Sequence, residues 1–407
     1  MTPLRIGTLA GIAAVTLVAI WVSVMFTVAM ITARSDPQTA LTRWPVDIAK
    51  AETATAILGK QPSRTRAKAA ERLALEVLER MPVNAEAARD VAMARLVEGD
   101  VAGARMLIAA GERLSRRDIP TQMWMIEDRV AAGDVPATLA HYDRALRISP
   151  ESRPVLLPVL AQAANDPVVA RALAARLRVR PEWWSDFFGR FVAVATDPLA
   201  IRLIAEGLHL DPTEEVDRAR VVQVIGRLVQ LGDYRAARSF YDRTTGRRPE
   251  MVVDGGFEKD HGIPPFDWQL VDETDRSATR EPRDRANGTA LSIAGPEGKE
   301  VARQLLVLPP GRYRLTARTG AVTTNMMAPP TVSITCLQDQ GTLVASTAFP
   351  VGMGPKTLAM AVTIPAGCNG QWLTIGSAAN VGYLSDNPWI DDVRIVTAGL
   401  PFSPLAH

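Results

Sequence analysis

The stretch GDVPATLAHYDRALRISP at residues 133–150 decides how this chain is read, because its frame returns as GDYRAARSFYDRTTGRRP at residues 232–249. Both copies open on Gly-Asp, carry tyrosine at the tenth place and close on proline. A third start, Gly99-Asp100, lies 34 residues before Gly133, and Gly133 and Gly232 are 99 residues apart, close to three such periods. Self-similarity at this period announces stacked helix pairs. Each pair cannot bury its apolar side alone, so neighbours stack and create an extended surface that binds other molecules. The residue types have mechanical reasons: glycine relieves strain where the first helix stops, aspartate caps the second, and proline lacks the amide hydrogen needed to continue it.

Read residue by residue, the 133–150 segment resembles the second half of a tetratricopeptide repeat. Tyr142 and Ala145 take the large and small packing positions and Pro150 ends the helix; Tyr241, Thr244 and Pro249 take these roles in the later copy. The copy at Gly99 keeps Ala104 in register with Ala237 but has Arg116 in place of the proline. The family's helix A signature of Trp, Leu-Gly and Tyr is absent, so a different α-solenoid is the alternative. Prolines at 45, 82, 150, 181, 212 and 249 punctuate the region, and about five to seven helix pairs are expected over residues 37–249. The resemblance implies protein partners held by the solenoid. Within PEWWSDFFGRF, positions 184, 187, 188 and 191 form a helical stripe for packing, while Trp183 lies off it and is a candidate partner-binding residue.

Upstream, every residue from Ile6 to Thr32 is uncharged. A helix over Ile6–Ile31 spans about 39 Å, more than the roughly 30 Å hydrocarbon core, so it is long enough to cross with some tilt. A removable signal peptide with a Thr27-Val28-Ala29 site is the alternative, although the apolar stretch exceeds the usual signal core. Only Arg5 precedes the span, whereas Arg34, Arg43 and Lys50 follow it, so the charge rule does not settle orientation. The expectation is a single-pass bacterial inner-membrane protein with a cytoplasmic tail at 1–5, an anchor at 6–31 and its bulk in the periplasm.

After Pro249 the helical period gives way to short runs rich in Val, Leu, Thr and aromatics. Strands are expected at 266–271, 289–294, 302–308, 312–318, 331–337, 343–348, 357–364, 371–375 and 389–396, and Val332, Ile334 and Cys336 share one face. Many short strands between turn signals imply a sandwich of two sheets. The predicted fold class is therefore an N-terminal transmembrane helix, a tetratricopeptide-like α-solenoid at 37–249 and an antiparallel β-sandwich at 250–398, with a tail at 399–407.

Three motifs give the β region a resemblance to carbohydrate-binding jelly rolls over about residues 252–397: Asp254-Gly255-Gly256-Phe257-Glu258 with Trp268, Tyr313 in LPPGRYRLTAR, and Ile390-Asp391-Asp392-Val393. The resemblance implies a structural calcium ion at Glu258 and Asp391, with Asp254 and Asp392 as helpers, since hard carboxylate oxygens suit calcium. Capped turns without a metal are the alternative. Trp268, Tyr313 and Trp389 occupy positions that usually serve the core, which leaves Trp372 and Tyr383 as glycan-contact candidates. A Cys336–Cys368 disulfide is expected if the domain is extracytoplasmic, closing a loop of about 30 residues worth on the order of 3 to 4 kcal/mol; two separate thiols are the alternative.

The formal net charge of +2, from 46 basic and 44 acidic residues, argues against a dedicated nucleic-acid binder. No HExxH pair, Gly-x-Ser-x-Gly elbow, P-loop or strand-linked GxGxxG occurs, and no catalytic residue is assigned. The expectation is a non-enzymatic, membrane-anchored scaffold that binds protein partners through its repeats and polysaccharide through its jelly roll, in envelope or exopolysaccharide assembly or export. A carbohydrate-binding module protein or accessory glycoside hydrolase, with the solenoid as spacer, is the competing reading.

Overall fold

A computed structural model describes residues 3–60, 63–259, 262–282, 288–296, 298–324, 326, 328–338, 341–378 and 387–398, with side chains described from Thr16 onward. The chain divides into two compact units, one of residues 1–156 with 181–183, the other of residues 157–180 with 184–407.

The first unit opens on α1 (Pro3–Ser35), followed by α2 (Pro37–Arg43), α3 (Asp47–Leu58), α4 (Arg64–Arg80), α5 (Ala85–Glu98), α6 (Val101–Leu114), α7 (Ile119–Ala131) and α8 (Val135–Ile148). The repeated Gly-Asp behaves as its chemistry dictates. Gly99 and Gly133 have φ of 97° and 69°, where a side chain is strained. Asp100 and Asp134 then cap α6 and α8 by accepting the amides of Gly103 and Ala137 at 2.8 and 3.0 Å. The helices pack largely through alanine: Ala51, Ala54, Ala70, Ala74 and Ala87 form one buried cluster with Val77 and Val91. Such small side chains let helix backbones approach closely. Charge is buried here as well. Arg89, which is 5% exposed, sits between Asp90 and Asp118 and donates to Thr55 Oγ1 at 3.0 Å. Burial pushes the Asp90 carboxyl up to about 6, against the pull of Arg89 and Thr55.

Helix α9 (Arg153–Ala163) runs across the division between the units. The second unit continues with α10 (Pro167–Leu177), α11 (Trp184–Val194), α12 (Pro198–Leu208), α13 (Glu215–Gln230) and α14 (Tyr234–Thr245). The helical stripe of α11 is confirmed, with Phe187, Phe188 and Phe191 fully buried. Gly232 (φ 77°) and Asp233, which accepts the Ala236 amide at 3.0 Å, repeat the turn and cap before α14.

The β region contains β1 (Gln269–Leu270), β2 (Ser277–Pro282), β3 (Thr289–Ala294), β4 (Glu300–Leu306), β5 (Gly311–Gly320), β6 (Thr331–Cys336), β7 (Leu343–Ala348), β8 (Lys356–Ile364), β9 (Gln371–Gly376) and β10 (Trp389–Thr397). They form two five-stranded sheets, ordered β1-β4-β9-β6-β7 and β2-β3-β10-β5-β8, and every strand pair is antiparallel. Val332, Ile334, Leu373 and Ile375 of the first sheet join Leu291, Leu315, Val362 and Ile390 of the second in one core. Strand β2 was not expected from sequence: its largely polar residues carry no apolar alternation. The expected strand at 266–271 shrinks to Gln269–Leu270, because Phe266 and Asp267 turn into a junction with α14.

That junction lies within the second unit and is built on Tyr241. Its hydroxyl donates to Asp267 Oδ2 at 2.9 Å and accepts from Arg247 at 2.6 Å, and its ring lies 5.3 Å from Phe266. Arg247 also pairs with Asp267, whose Oδ2 accepts the Ile263 amide at 2.7 Å. Arg238 covers both the Tyr241 and Phe266 rings. Burial pushes the Tyr241 hydroxyl far up in pKa, helped by the negative charge of Asp267. Tyr234 fills the space a side chain at Gly370 would need. The last helix thus reaches the sandwich directly within the second unit.

Candidate functional site

The outer face of the first sheet carries the strongest candidate. Register places Arg303 of β4 opposite Thr374 of β9, and Thr335 and Ser333 of β6 opposite Trp372 and Thr374. Directly opposed residues share a face, and Val332, Ile334 and Cys336 point to the core, so these side chains point away from it. Trp372 is half-buried, with the Arg303 guanidinium 4.5 Å from its ring centroid. Arg303 Nε in turn donates to Gln269 Oε1 at 2.6 Å, which orients the guanidinium. One end of this face is closed, since Leu305 opposite Trp372 is fully buried and its amide bonds to Pro265 O. The open end offers an indole, a guanidinium and three hydroxyls, groups suited to stacking on and hydrogen-bonding a saccharide. Trp372 was expected from sequence as a glycan-contact candidate; Arg303, which reaches it across the β4–β9 pairing, was not. Tyr383 lies outside the described residues.

The four carboxylates expected to gather around calcium divide into pairs. Glu258 and Asp391 come together: a methyl group added at Gly256 would sit 3.9 Å from Glu258 Oε1 and 3.9 Å from Asp391 Oδ1. Glu258 is held by the amide and hydroxyl of Thr289, at 2.9 and 3.2 Å. Burial pushes the Asp391 carboxyl up, and the charges of Asp392 and Glu258 push the same way, against the Asp392 amide and Arg318. Asp254 and Asp392 have partners of their own. Asp254 accepts the Glu258 and Lys259 amides at 2.9 and 3.1 Å, folding the opening turn, and Asp392 pairs with Arg394 at 2.6 Å. A β-bulge between Asp391 and Arg394 separates the two aspartates. Among the described residues no group of three or more His, Cys, Asp or Glu is arranged to hold a metal. Glu258 and Asp391, both beside Gly256, are the part of the expected set that the fold brings together.

Cys336, at the end of β6, and Cys368, after the β8 turn, are joined in a disulfide with Cα atoms 5.6 Å apart. Beside them the buried Gln371 accepts the Leu308 amide at 2.9 Å and donates to Cys368 O at 2.7 Å. Trp268, Tyr313 and Trp389 are buried, as their motif positions implied.

Trp183 requires a correction. It is 1% exposed, and its indole Nε1 donates to Asp143 of α8 at 2.9 Å, so it is a packing residue and not a partner contact. The first unit has a groove of about 590 Å³ between the α4–α5 and α6–α7 turns, lined in part by Val83, Asn84, Arg117 and Ile119.

No protein-family model and no curated protein match the chain. Its two-sheet region is similar to carbohydrate-binding module jelly rolls in solved structures. A CBM4 structure is 17% identical, with 36% of this chain and 99% of that one covered and a TM-score of 0.29. TmCBM61 in complex with β-1,4-galactotriose is 16% identical over 37% of this chain and 100% of that one, TM-score 0.27. The CBM22-1 xylan-binding domain from Paenibacillus barcinonensis Xyn10C is 12% identical over 37% and 96%, TM-score 0.28. The enzymatically active domain of bacteriophage CBA120 tailspike protein 4 is 17% identical over 37% of this chain, TM-score 0.28, and the chain spans only 21% of that protein's length.

Proposed function

We propose that this chain is a membrane-anchored, non-enzymatic scaffold whose β-sandwich binds a glycan and whose helices hold protein partners during envelope polysaccharide assembly or export. The observation that carries the glycan part is the Arg303–Trp372 pair on an outward sheet face bordered by Thr335, Ser333 and Thr374. Removing the indole or the guanidinium leaves the hydroxyls with nothing to orient a sugar ring. The test is a glycan array with the full-length protein in detergent. Trp372→Ala and Arg303→Ala each lose roughly tenfold or more in affinity, about 1.4 kcal/mol, with no hydrolysis of the bound glycan. Binding unchanged in both variants removes the platform; turnover of the glycan restores the hydrolase reading.

The scaffold role rests on the stacked helix pairs and the groove beside Val83. The retained anchor rests on α1: it runs unbroken through Thr27–Ala29, and the buried Ala29 and Ala33 belong to the folded protein. Thr27 and Thr32 satisfy their hydroxyls on the carbonyls of Ser23 and Val28, so neither leaves a polar group unpaired in lipid. A structural calcium ion between Glu258 and Asp391 would offset the repulsion of two like charges and brace the first turn of the sandwich against β10. Saturating calcium at a hundred times its Kd then adds about 2.7 kcal/mol of stability. This appears as a rise in Tm that chelator reverses and that Glu258→Gln abolishes.

A further inference from the structure

The exit of α1 carries a feature that anchoring alone does not require. Its exposed face is apolar as far as Ile31, which is 64% exposed, through Leu17, Trp21 and Val28. The opposite face is already covered by protein, with Ala29 at 2% and Ala33 at 0% exposure. Only Asp36 separates α1 from α2. It caps α2 by accepting the Thr39 amide at 3.2 Å. Helices α2 and α3 both pack on α1, and Ala33, Ala40 and Ala49 form a cluster against which Leu41, Val46 and Ile48 rest. Val46 follows the Arg43–Pro45 turn, so the chain leaving that turn packs on the alanine cluster. Thr53 Oγ1 ties the hairpin by donating to Pro37 O at 3.0 Å and Ala49 O at 2.6 Å.

The depth follows from helix geometry. Ala29 lies about 3 Å below Ile31 along the axis, and Arg34 about 7.5 Å above Ala29. The α2–α3 hairpin therefore overlaps the level at which the other side of α1 is still apolar. The overlap up to Ile31 is about 3 Å, and the rise of about 7.5 Å from Ala29 to the first charge at Arg34 is comparable to the 5–10 Å over which interfacial helices enter a bilayer. Its turn carries the exposed Arg43 and the half-buried Trp44, and the last turn of α1 carries the exposed Arg34. These are the residue types that seat at the headgroup level, where a guanidinium meets phosphate and an indole spans apolar and wet layers.

We propose that the α2–α3 hairpin is a collar seated in the lipid headgroup layer, clamped to α1 through Ala29 and Ala33, so that the helical repeats are mounted on the membrane without a flexible stalk. The occupant of this surface is the bilayer itself. The inference rests on reading α1 as a retained anchor, and the experiment separates the two. Full-length protein, its native disulfide intact, is reconstituted in phospholipid nanodiscs with a nitroxide on a single added cysteine: Trp21→Cys, Arg43→Cys or Val83→Cys. Collision with lipid-soluble oxygen and with an aqueous nickel chelate reports depth. The expected result is a nickel-shielded label at 21, full nickel access at 83, and at 43 the loss of most of the collision rate seen at 83, with raised oxygen access. Equal nickel access at 43 and 83 with 21 shielded overturns the collar and leaves the anchor standing. Full nickel access at 21 overturns both.

Discussion

The two copies of the Gly-Asp to Pro phrase share a beginning and part at their tyrosines. Tyr142 is buried among helices and its hydroxyl has no hydrogen-bond partner among the described residues, whereas Tyr241 binds Asp267 and Arg247 and anchors a β-sandwich. The next residue parts company too, since Asp143 receives Arg147 and the Trp183 indole while Asp242 receives Arg238, the side chain lying over Tyr241. What differs is the neighbour. A repeat residue that meets another helix serves as apolar bulk, and the same residue at the end of the stack acquires a polar partner. The units around the two copies differ in the same sense: alanine seams and a buried Arg89–Asp90 pair in the first, aromatic rings and a two-sheet core in the second.

The most severe way to break this comparison is Asp267→Ala, which leaves Arg247 uncompensated and removes the acceptor for Tyr241 and the Ile263 amide. A loss of about 4 kcal/mol is expected by chemical denaturation, confined to the transition that reports the β-sandwich; a cost under about 1 kcal/mol would show that the junction does not hold the sandwich.

The first unit is tested by pH. Because burial raises the folded carboxyl of Asp90 to about 6 from 3.8, the folded chain binds a proton that the unfolded chain lacks between those values. The stability contributed at Asp90 therefore falls as pH rises through this window. Relative to Asp90→Asn, the native chain gains up to about 3 kcal/mol on going from pH 6 to pH 4, at 1.36 kcal/mol per unit. A constant difference between the two proteins across that range contradicts the burial argument.

Tyr241→Phe against Tyr142→Phe sharpens the comparison directly. The first loses about 2 kcal/mol with its charged acceptor, the second less than about 0.5; equal losses measured in urea would erase the distinction. Smallest is the shared feature. Gly133→Ala and Gly232→Ala meet no neighbouring atoms but force a side chain to φ of 69° and 77°, so each costs about 1 kcal/mol and the two values agree. A large disparity would mean that the turns are not equivalent.

Much of this architecture was legible in the chain. Gly133, Asp134 and their counterparts state their roles locally, because positive φ and an N-cap are properties of one residue and its next three neighbours. Strands β3 and β7 fall at their expected limits, since their runs are bounded by turns. The jelly-roll resemblance implied that Glu258 lies near Asp391, and strand parity turned Cys336 inward. Trp183 could not be read this way: its fate depends on Asp143, 40 residues earlier. Asp254 and Asp392 were equally opaque, because local turn geometry and a bulge direct them to backbone amides and to Arg394.

Sequence by itself determined the apolar span, the period of the helix pairs, the change to β-structure after Pro249 and the residues that start and stop each element. These depend on local sterics, capping and hydrophobic period, which act over a few residues. Tertiary structure alone decided that Tyr241 meets Asp267, that Arg303 covers Trp372 and that Ala33 packs in one cluster with Ala40 and Ala49. Each of those is a contact between segments whose separation in the chain carries no record of their proximity, and it is set by how the packed layers fit.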